Sequence, residues 1–280
     1  MIPVYNGAAF LRRTLATAWA WLLAQPRNVE LLVVDDGSTD ATAAILAEFA
    51  AAAASNERAQ FTLLRNADNR GKGFALRRAF LHARGELIVF TDADLTYELD
   101  NVVPIVRALE RSADVAYGSR MHQDSVYVVA PGFFRKLYTR HFMGRVFNWL
   151  VRAIVVRGIR DTQAGLKGFR TAAAQHLATR VRLCRFSFDV ELFFVARHAR
   201  LRIEECPVRF HYRKEPSTVK FFSDSLAMFA DMLRVRWRGV RGVYDREPDA
   251  ATLADLRHGG AVLQEPPLLA ARERAGRQSG

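Results

Sequence analysis

The sequence predicts an α/β fold in which a mostly parallel sheet is flanked by helices. Residues 29–120 alternate short apolar runs with helical stretches, which is the pattern of consecutive β–α–β units. Half of the 280 residues are hydrophobic and a quarter are charged, which is typical of a globular protein and excludes a disordered or fibrous one. A chain of this length can bury a large core without disulfide bonds.

Each predicted strand is a short apolar run, and each predicted helix fills the interval before another run. Residues 1–5 read as the end of a strand, and we expect its first half to be missing. Further strands are predicted at 30–35, 61–64, 86–91 and 114–117. Helices are predicted near 39–55, 71–83 and 100–111, and Ser38 or Thr39 can cap the first of them.

We expect a single domain over residues 1–240. The composition changes after Gly118, which divides this domain into a first half at 1–125 and a second half at 126–240. Residues 247–280 hold Pro, Gly and mixed charge without periodicity, which favours a flexible tail. The longest apolar runs fall short of about 18 residues, so we expect neither a membrane-spanning helix nor a signal peptide.

The charge balance points to an anionic partner. The chain has 41 Lys and Arg against 29 Asp and Glu, a formal net charge of +12. Nucleic acid, an acidic membrane or a phosphorylated small molecule would each suit such a surface. Because the sequence has no helix-turn-helix or aromatic RNA-recognition motif, we do not expect nucleic acid. The two cysteines, Cys184 and Cys206, lack the spacing of a zinc site.

Two segments of the second half combine apolar stripes with basic residues. Residues 133–170 carry nine Lys or Arg and one acid. The first stripe is Phe142, Val146, Trp149, Leu150 and Ala153, and the second is Phe222, Leu226, Phe229, Leu233 and Trp237. Basic amphipathic helices of this kind can lie in the headgroup layer of a membrane. The alternative is that both stripes pack on the protein core.

Two acidic pairs follow predicted strands. Asp35 and Asp36 end one strand, and Asp92 and Asp94 follow another. In open α/β sheets, ligands bind beyond the carboxyl ends of the strands. Carboxylates two residues apart can converge on Mg²⁺ or Mn²⁺, which needs few protein ligands because phosphate oxygens and water complete its shell. A solvated loop or a helix cap is the alternative for Asp92 and Asp94.

Four motifs stand in order at predicted strand ends or helix starts. They are Pro-Val-Tyr-Asn at 3–6, Asp-Asp-Gly-Ser-Thr-Asp at 35–40, Asn-Arg-Gly-Lys-Gly at 69–73 and Asp-Ala-Asp at 92–94. Together they resemble the family 2 glycosyltransferases, whose GT-A fold is a Rossmann-like sheet flanked by helices. Three later segments at 118–120, 161–167 and 188–192 resemble polyprenyl-phosphate sugar transferases, and dolichyl-phosphate β-glucosyltransferases most of all.

The resemblance implies a nucleotide-sugar donor and residues that bind it. Pro3 and Tyr5 would line the pocket, with Tyr5 stacking on the base. Asp35 and Asp36 would hydrogen-bond the uracil or ribose, and Lys72 would pair with an anionic group of the donor. Asp92 and Asp94 would hold Mg²⁺ or Mn²⁺ on the donor diphosphate, and Ala93 between them would also contact the nucleotide sugar. A plain turn at Gly71–Gly73 is the alternative for Lys72.

The resemblance also implies an acceptor side. Arg120, Gln163 and Lys167 would bind phosphate or acceptor, and Asp161 and Asp189 would join Asp92 and Asp94 as catalytic side chains. Alternatively, Asp189 and Glu191 are charges that favour the positive end of a helix dipole.

The implied reaction is inverting transfer of a sugar, with glucose favoured, from a UDP-sugar to a polyprenyl phosphate such as dolichyl or undecaprenyl phosphate. Residues 1–125 would then bind the nucleotide sugar, and 126–240 would face the acceptor and an anionic membrane surface. We expect a peripheral protein at the cytoplasmic face of the membrane. A soluble glycan or other acceptor, or another donor such as GDP-mannose, remains an alternative.

Overall fold

A computed structural model of the chain describes residues 1–53, 58–129, 155–156, 158–185, 187–212 and 221–264. The strands in these ranges are β1 (Ile2–Val4), β2 (Val29–Asp35), β3 (Ala59–Asn66), β4 (Leu87–Thr91), β5 (Val115–Ser119), β6 (Val126–Val129), β7 (Leu166–Arg170), β8 (Ile203–Pro207), β9 (Arg209–Tyr212) and β10 (Gly260–Gln264). The helices are α1 (Leu11–Leu23), α2 (Thr42–Ala52), α3 (Lys72–His82), α4 (Val102–Arg111), α5 (Thr171–Arg180), α6 (Phe188–His198), α7 (Phe221–Val240) and α8 (Ala250–His258).

The main sheet runs in the order β10-β3-β2-β1-β4-β7-β5-β8. Hydrogen bonds join the first four strands and the last four strands as separate ladders. Met1 links them, because its amino group donates to Val89 O (2.6 Å) and its carbonyl accepts from Thr91 N (3.1 Å), the pattern of a parallel bridge. Only β7 and β10 pair antiparallel to their neighbours in this sheet, among the described strands. The predicted α/β class, with a mostly parallel sheet, is therefore confirmed.

Strand β2 shows why the central strands have continuous apolar sequences. Leu31 and Val33 pack beneath α1 and α2, whereas Leu32 and Val34 pack beneath α3 on the opposite face. Both faces of the strand are covered, so alternation of polar and apolar residues is absent. The polar residues stand where the strand ends, at the sheet edge that carries the candidate site.

The second half of the sheet rests on a separate aromatic core. Phe80 of α3 packs against Phe169 of β7 with ring centroids 4.9 Å apart, and Phe90 of β4 stacks on Phe169 at 6.1 Å. This core lies beside the end of β4 and on the antiparallel strand β7 paired with it, and it anchors the strands that adjoin the acidic segments at 92–94 and 161–167.

The prediction of a flexible tail from residue 247 is wrong for residues 250–264. Asp249 caps α8, with its carboxylate accepting from Thr252 N at 2.6 Å, and β10 then pairs antiparallel with β3. The domain therefore extends past residue 240. Residues 265–280 lie outside the described residues.

The two predicted amphipathic stripes have different outcomes. The first, at 142–153, lies outside the described residues. The second lies on α7, whose described side chains begin at residue 228. Among the described helices, none is both long enough and apolar enough to cross a membrane.

Candidate active site at the carboxyl edge of the sheet

The predicted acidic residues lie at one edge of the sheet. Asp35 is the last residue of β2, and Asp92 follows the end of β4. Because β2, β1 and β4 are parallel, their carboxyl ends open on the same side. The loop after β1 joins them there, since Asn6 N donates to Ser38 Oγ and Thr39 N donates to Asn6 Oδ1, both at 2.9 Å.

Asp36 holds the turn that begins α3. Its carboxylate accepts from Arg70 N (3.1 Å), Gly71 N (2.7 Å) and the Asn66 side-chain amide (2.7 Å). Gly71 has a φ of +93°, and a Cβ there would lie 2.4 Å from Cys184 O, so only glycine fits. Asp36 is buried, and in this structure it positions the Gly71–Gly73 segment.

Asp35 is also buried. Its Oδ1 accepts from Ser38 N at 2.9 Å, and its Oδ2 lies 3.3 Å from Arg65 Nε. The predicted contacts of Asp35 and Asp36 with a nucleotide stay predictions. Tyr5 is 45% exposed beside this loop and Pro3 is half-buried, and their predicted contacts with a nucleotide also stay predictions.

Lys72 and Asp92 form an ion pair across the edge. Lys72 Nζ lies 2.6 Å from Asp92 Oδ1, and the side chains are 34% and 38% exposed. Burial opposes the charge on Lys72, but Asp92, Asp189 and Asp94 outweigh it and raise the pKa of Lys72. The predicted Asn-Arg-Gly-Lys-Gly motif at 69–73 and the predicted acidic motif at 92–94 therefore meet at one point.

One observation fits a divalent cation at Asp92, and two others describe how the turn that carries Asp92 and Asp94 is held. A positive charge, the Lys72 ammonium, already stands at hydrogen-bond distance from Asp92. Asp94 Oδ1 accepts from Thr96 N at 3.0 Å, and the intervening Leu95 adopts a φ of +47°, a strained conformation for leucine. The Ala93 carbonyl accepts from Thr14 Oγ1 at 2.6 Å, which anchors the turn between the two acids.

The described residues contain no group of three or more His, Cys, Asp or Glu side chains placed to hold a metal ion. Two carboxylates are sufficient for Mg²⁺ or Mn²⁺ when phosphate oxygens and water supply the remaining ligands. A metal site formed by Asp92 and Asp94 would therefore need phosphate oxygens and water to complete it.

The 161–167 segment approaches the acids from the other half of the sheet. A Cβ on Gly165 would lie only 1.9 Å from Asp92 Oδ2, so the backbone at this position touches the carboxylate. The buried side-chain amide nitrogen of Gln163 has no hydrogen-bond partner within the described part of the chain. An unpaired buried donor of this kind suits contact with a ligand.

Asp161 holds Arg120 at the same edge. Its carboxylate accepts from Arg120 N (3.0 Å), Nε (2.7 Å) and Nη2 (2.8 Å). Burial opposes the negative charge of Asp161, but the charge and hydrogen bonds of Arg120 outweigh it and lower its pKa. Asp161 is buried and Arg120 is partly exposed, so the acid orients an arginine that is accessible to solvent at this edge.

Lys167 and Asp189 form a second Lys–Asp pair beneath the site. Lys167 Nζ lies 2.7 Å from Asp189 Oδ1 and also donates to Ala164 O. The Lys167 side chain is fully buried, and this burial lowers its pKa despite the opposing charge of Asp189. The predicted contact of Lys167 with a phosphate stays a prediction, because its ammonium is enclosed here.

Glu191 has a structural role, because its carboxylate binds backbone and side-chain donors in the protein interior. It is fully buried and accepts from Arg182 N (2.7 Å), Leu183 N (2.6 Å) and the Tyr244 hydroxyl (2.6 Å). Asp189, two residues earlier, pairs with Lys167 instead. The two acids of this segment therefore do more than favour the helix dipole.

The sequence analysis missed Asn66 and Arg65. Both end β3 at the same sheet edge, and they contact Asp36 and Asp35. Their place at the carboxyl end of a predicted strand is the signal that would have found them.

Paired acids lie at the carboxyl edge of an α/β sheet, beside a glycine-flanked helix start, which is where ligands bind in enzymes with open α/β sheets. The family model "Glycosyl transferase family 2" matches residues 1–176. The chain belongs to this family and is a glycosyltransferase.

Individual relatives within and beyond the family model indicate which glycosyltransferases the chain is similar to. The chain is 30% identical over 256 residues to the dolichyl-phosphate beta-glucosyltransferase of Saccharomyces cerevisiae, covering 87% of this chain and 75% of that protein. It is 32% identical to the protein of the same name from Mus musculus, with 87% and 76% covered. Glucosyl-3-phosphoglycerate synthase from Mycobacterium tuberculosis, solved with Mn²⁺, UDP-glucose and phosphoglyceric acid, shares the fold with a TM-score of 0.51, at 17% identity over 89% of this chain and 79% of that one. The predicted GT-A fold is confirmed.

Proposed function

We propose that this glycosyltransferase moves glucose from UDP-glucose to a polyprenyl phosphate, with inversion, at a membrane surface. The observation that carries the proposal is the likeness to dolichyl-phosphate β-glucosyltransferases, which extends over 87% of the chain. That likeness reaches well past the 176 residues of the family model, so it includes residues of the acceptor half.

The first half of the edge suits the donor. Exposed Tyr5 offers a face for the uracil ring, and Lys72 offers a cation for the diphosphate. The exposed part of Asp92, together with Asp94, would hold Mg²⁺ or Mn²⁺. When bound, such an ion stabilises the negative charge that develops on the leaving diphosphate.

The second half of the edge suits an anionic acceptor. Arg120 is partly exposed, is oriented by Asp161, and presents a planar group that matches phosphate oxygens. The unpaired amide nitrogen of Gln163 adds a donor nearby in the sequence. An acceptor phosphate oxygen is already an anion at neutral pH, so attack on the anomeric carbon needs no strong base. Asp161 and Asp189 then act by positioning Arg120 and Lys167.

The orientation of α7 supports membrane docking. Its inward side chains, Met232 and Val235, are buried. Its outward apolar side chains are 38 to 83% exposed, and they are Phe229, Leu233, Trp237 and Val240. Arg234 is half-exposed beside them, and the Arg241 guanidinium lies 4.8 Å from the Trp237 ring centre. The described part of the predicted second stripe, Phe229, Leu233 and Trp237, therefore faces away from the core, as an interfacial helix requires.

A helix of this composition binds an anionic leaflet through apolar area and through basic residues, each worth about 1 kcal/mol near the surface. The cytoplasmic leaflet carries such lipids, and we place the enzyme there as a peripheral protein. Leu233→Glu with Trp237→Glu is expected to lower binding to phosphatidylserine-containing vesicles by about tenfold or more in co-sedimentation. Glu110→Gln, on the surface of α4, is the control that should leave it unchanged. Equal sedimentation of all variants would contradict this role of α7.

A donor and acceptor screen tests the reaction. The protein is incubated with UDP-[¹⁴C]glucose, Mg²⁺ or Mn²⁺, and dolichyl or undecaprenyl phosphate, and radiolabel is counted in the organic phase. We expect transfer to lipid, and we expect Asp94→Asn to lower it about 100-fold or more while circular dichroism stays unchanged. Label found only in a water-soluble acceptor, or transfer only from GDP-mannose, would favour the alternative reactions.

A further inference from the structure

The Lys72 ammonium stands where a divalent cation would be expected. It is 2.6 Å from Asp92 Oδ1, and Asp92 is one of the two acids that fit Mg²⁺ or Mn²⁺. The ammonium occupies one lone pair of this oxygen, and its positive charge opposes the approach of a metal ion to Asp92 while the ion pair persists.

The position of Lys72 in its helix makes the arrangement unusual. Lys72 is the first residue of α3, where the helix dipole disfavours a positive side chain. The carboxylate of Asp92 compensates for this, so the ion pair exists because of the acid across the edge and not because of the helix.

The ion pair between Lys72 and Asp92 can also be broken at low cost. Both side chains are about one-third exposed, and pairs with such exposure are weak because water competes for both charges. Lysine carries a compact charge on a flexible four-carbon stem, so its ammonium can move without disturbing the backbone.

We propose that Lys72 is an exchangeable counter-ion for the donor site. Without donor, its ammonium neutralises Asp92 and keeps the divalent cation weakly bound. When a nucleoside diphosphate binds, its phosphates draw Lys72 away, and Asp92 becomes free for the cation. Metal binding thus becomes dependent on donor binding. The inference rests on the proposed donor and metal site, but not on the identity of the acceptor.

The test measures Mn²⁺ binding in the absence of nucleotide, by the electron paramagnetic resonance signal of free Mn²⁺. Lys72→Met keeps the stem and removes the charge, and we expect it to bind Mn²⁺ about tenfold more tightly than the wild type. Lys72→Arg keeps the charge and should stay within about threefold of the wild type. Arg27→Gln removes a cation from the exposed pair with Glu110, before the start of β2 and away from the site, and it serves as the control for net charge. It should resemble the wild type.

The same titration with UDP present measures the coupling. UDP should raise the Mn²⁺ affinity of the wild type by a larger factor than that of Lys72→Met, because only the wild type must first move its ammonium. Tighter Mn²⁺ binding and weaker UDP coupling in Lys72→Met, but not in Lys72→Arg, would support the exchange.

Two outcomes would overturn the inference, and they are distinguishable. If the wild type binds Mn²⁺ with UDP but Lys72→Met binds Mn²⁺ alone no more tightly, the exchange is wrong and the donor site stands. If no variant binds Mn²⁺ even with UDP, the metal site of the proposed function is wrong as well. A thermal melt of each variant establishes that it is folded before the titration.

Discussion

Two Lys–Asp pairs at the sheet edge have nearly the same length and very different surroundings. Lys72 and Asp92 are 2.6 Å apart and partly exposed, whereas Lys167 and Asp189 are 2.7 Å apart and almost fully enclosed. The net pKa changes of the two lysines are opposite. Several carboxylates raise the pKa of Lys72 against the effect of burial, and burial lowers that of Lys167.

The difference assigns separate tasks to the two pairs. A partly exposed pair can be opened by a competing charge, which suits a side chain that binds a ligand. An enclosed pair must stay intact, because either charge left alone would be buried without compensation. The inner pair therefore supports the segment at 161–167, and the outer pair is the one that the proposed exchange with a donor would open.

Breaking the inner pair is expected to have the largest effect on stability. Lys167→Met leaves the Asp189 carboxylate buried without a partner, and we expect the free energy of unfolding to fall by about 3–5 kcal/mol. Urea denaturation monitored by circular dichroism measures this change. Lys72→Met, the matched variant of the outer pair, should cost no more than about 1 kcal/mol.

A double variant sharpens the comparison. Lys167→Met with Asp189→Leu removes both charges, and it should recover most of the lost stability because no unpaired charge remains. If Lys167→Met were no more harmful than Lys72→Met, burial would not separate the two pairs.

Asp161 provides an intermediate case that depends on pH. Its folded pKa is lowered, so its contribution is present above its unfolded pKa, about 3.9, and is lost as the pH falls through the folded pKa. We therefore expect Asp161→Asn to flatten the loss of stability below about pH 4, by up to about 1.4 kcal/mol per pH unit. Urea denaturation of both proteins at several pH values measures the difference. Parallel curves in acid would show that Asp161 is not held as a low-pKa carboxylate.

The sequence was sufficient for the parts of the fold that depend on local pattern. The buried strands at 29–35 and 87–91, and the helix at 72–82, lie within a few residues of their predicted positions. Strand β10 was not predicted, because five residues at a sheet edge become a strand only by pairing with β3, about 200 residues earlier. The sequence also could not predict which face of α7 points outward, because apolar residues such as Met232 and Leu233 occupy both of its sides.

The same distinction between local sequence pattern and long-range packing applies to the candidate site. The motifs placed Lys72, Asp92 and Asp161 at the correct edge, because the carboxyl ends of parallel strands converge. Their partners could not be read from the motifs. Lys72 pairs with Asp92, twenty residues away, and Lys167 turns to Asp189 below the surface. These contacts depend on how α3, β7 and α6 pack together, which no local pattern records.

The most exposed pair of the edge should have the smallest effect. Arg70 makes two hydrogen bonds to Asp255 of α8, at 2.6 and 2.7 Å, and both side chains are partly exposed. Through Arg70, the C-terminal helix contacts the turn that Asp36 holds by its backbone amides. Asp255→Asn is therefore expected to lower the free energy of unfolding by no more than about 1 kcal/mol.

The same variant separates positioning from stability. If α8 steadies the turn beside Lys72, Asp255→Asn should raise the KM for UDP-glucose about two- to threefold with kcat unchanged, a change of less than about 1 kcal/mol. Glu110→Gln breaks the exposed pair with Arg27, which precedes the start of β2 at the opposite edge, and is the control for which kcat and KM should stay constant. If Asp255→Asn instead lowered kcat and kcat/KM by the same factor, α8 would influence the transition state and not only donor binding. Exposure of an ion pair would then not predict how little it contributes to the reaction.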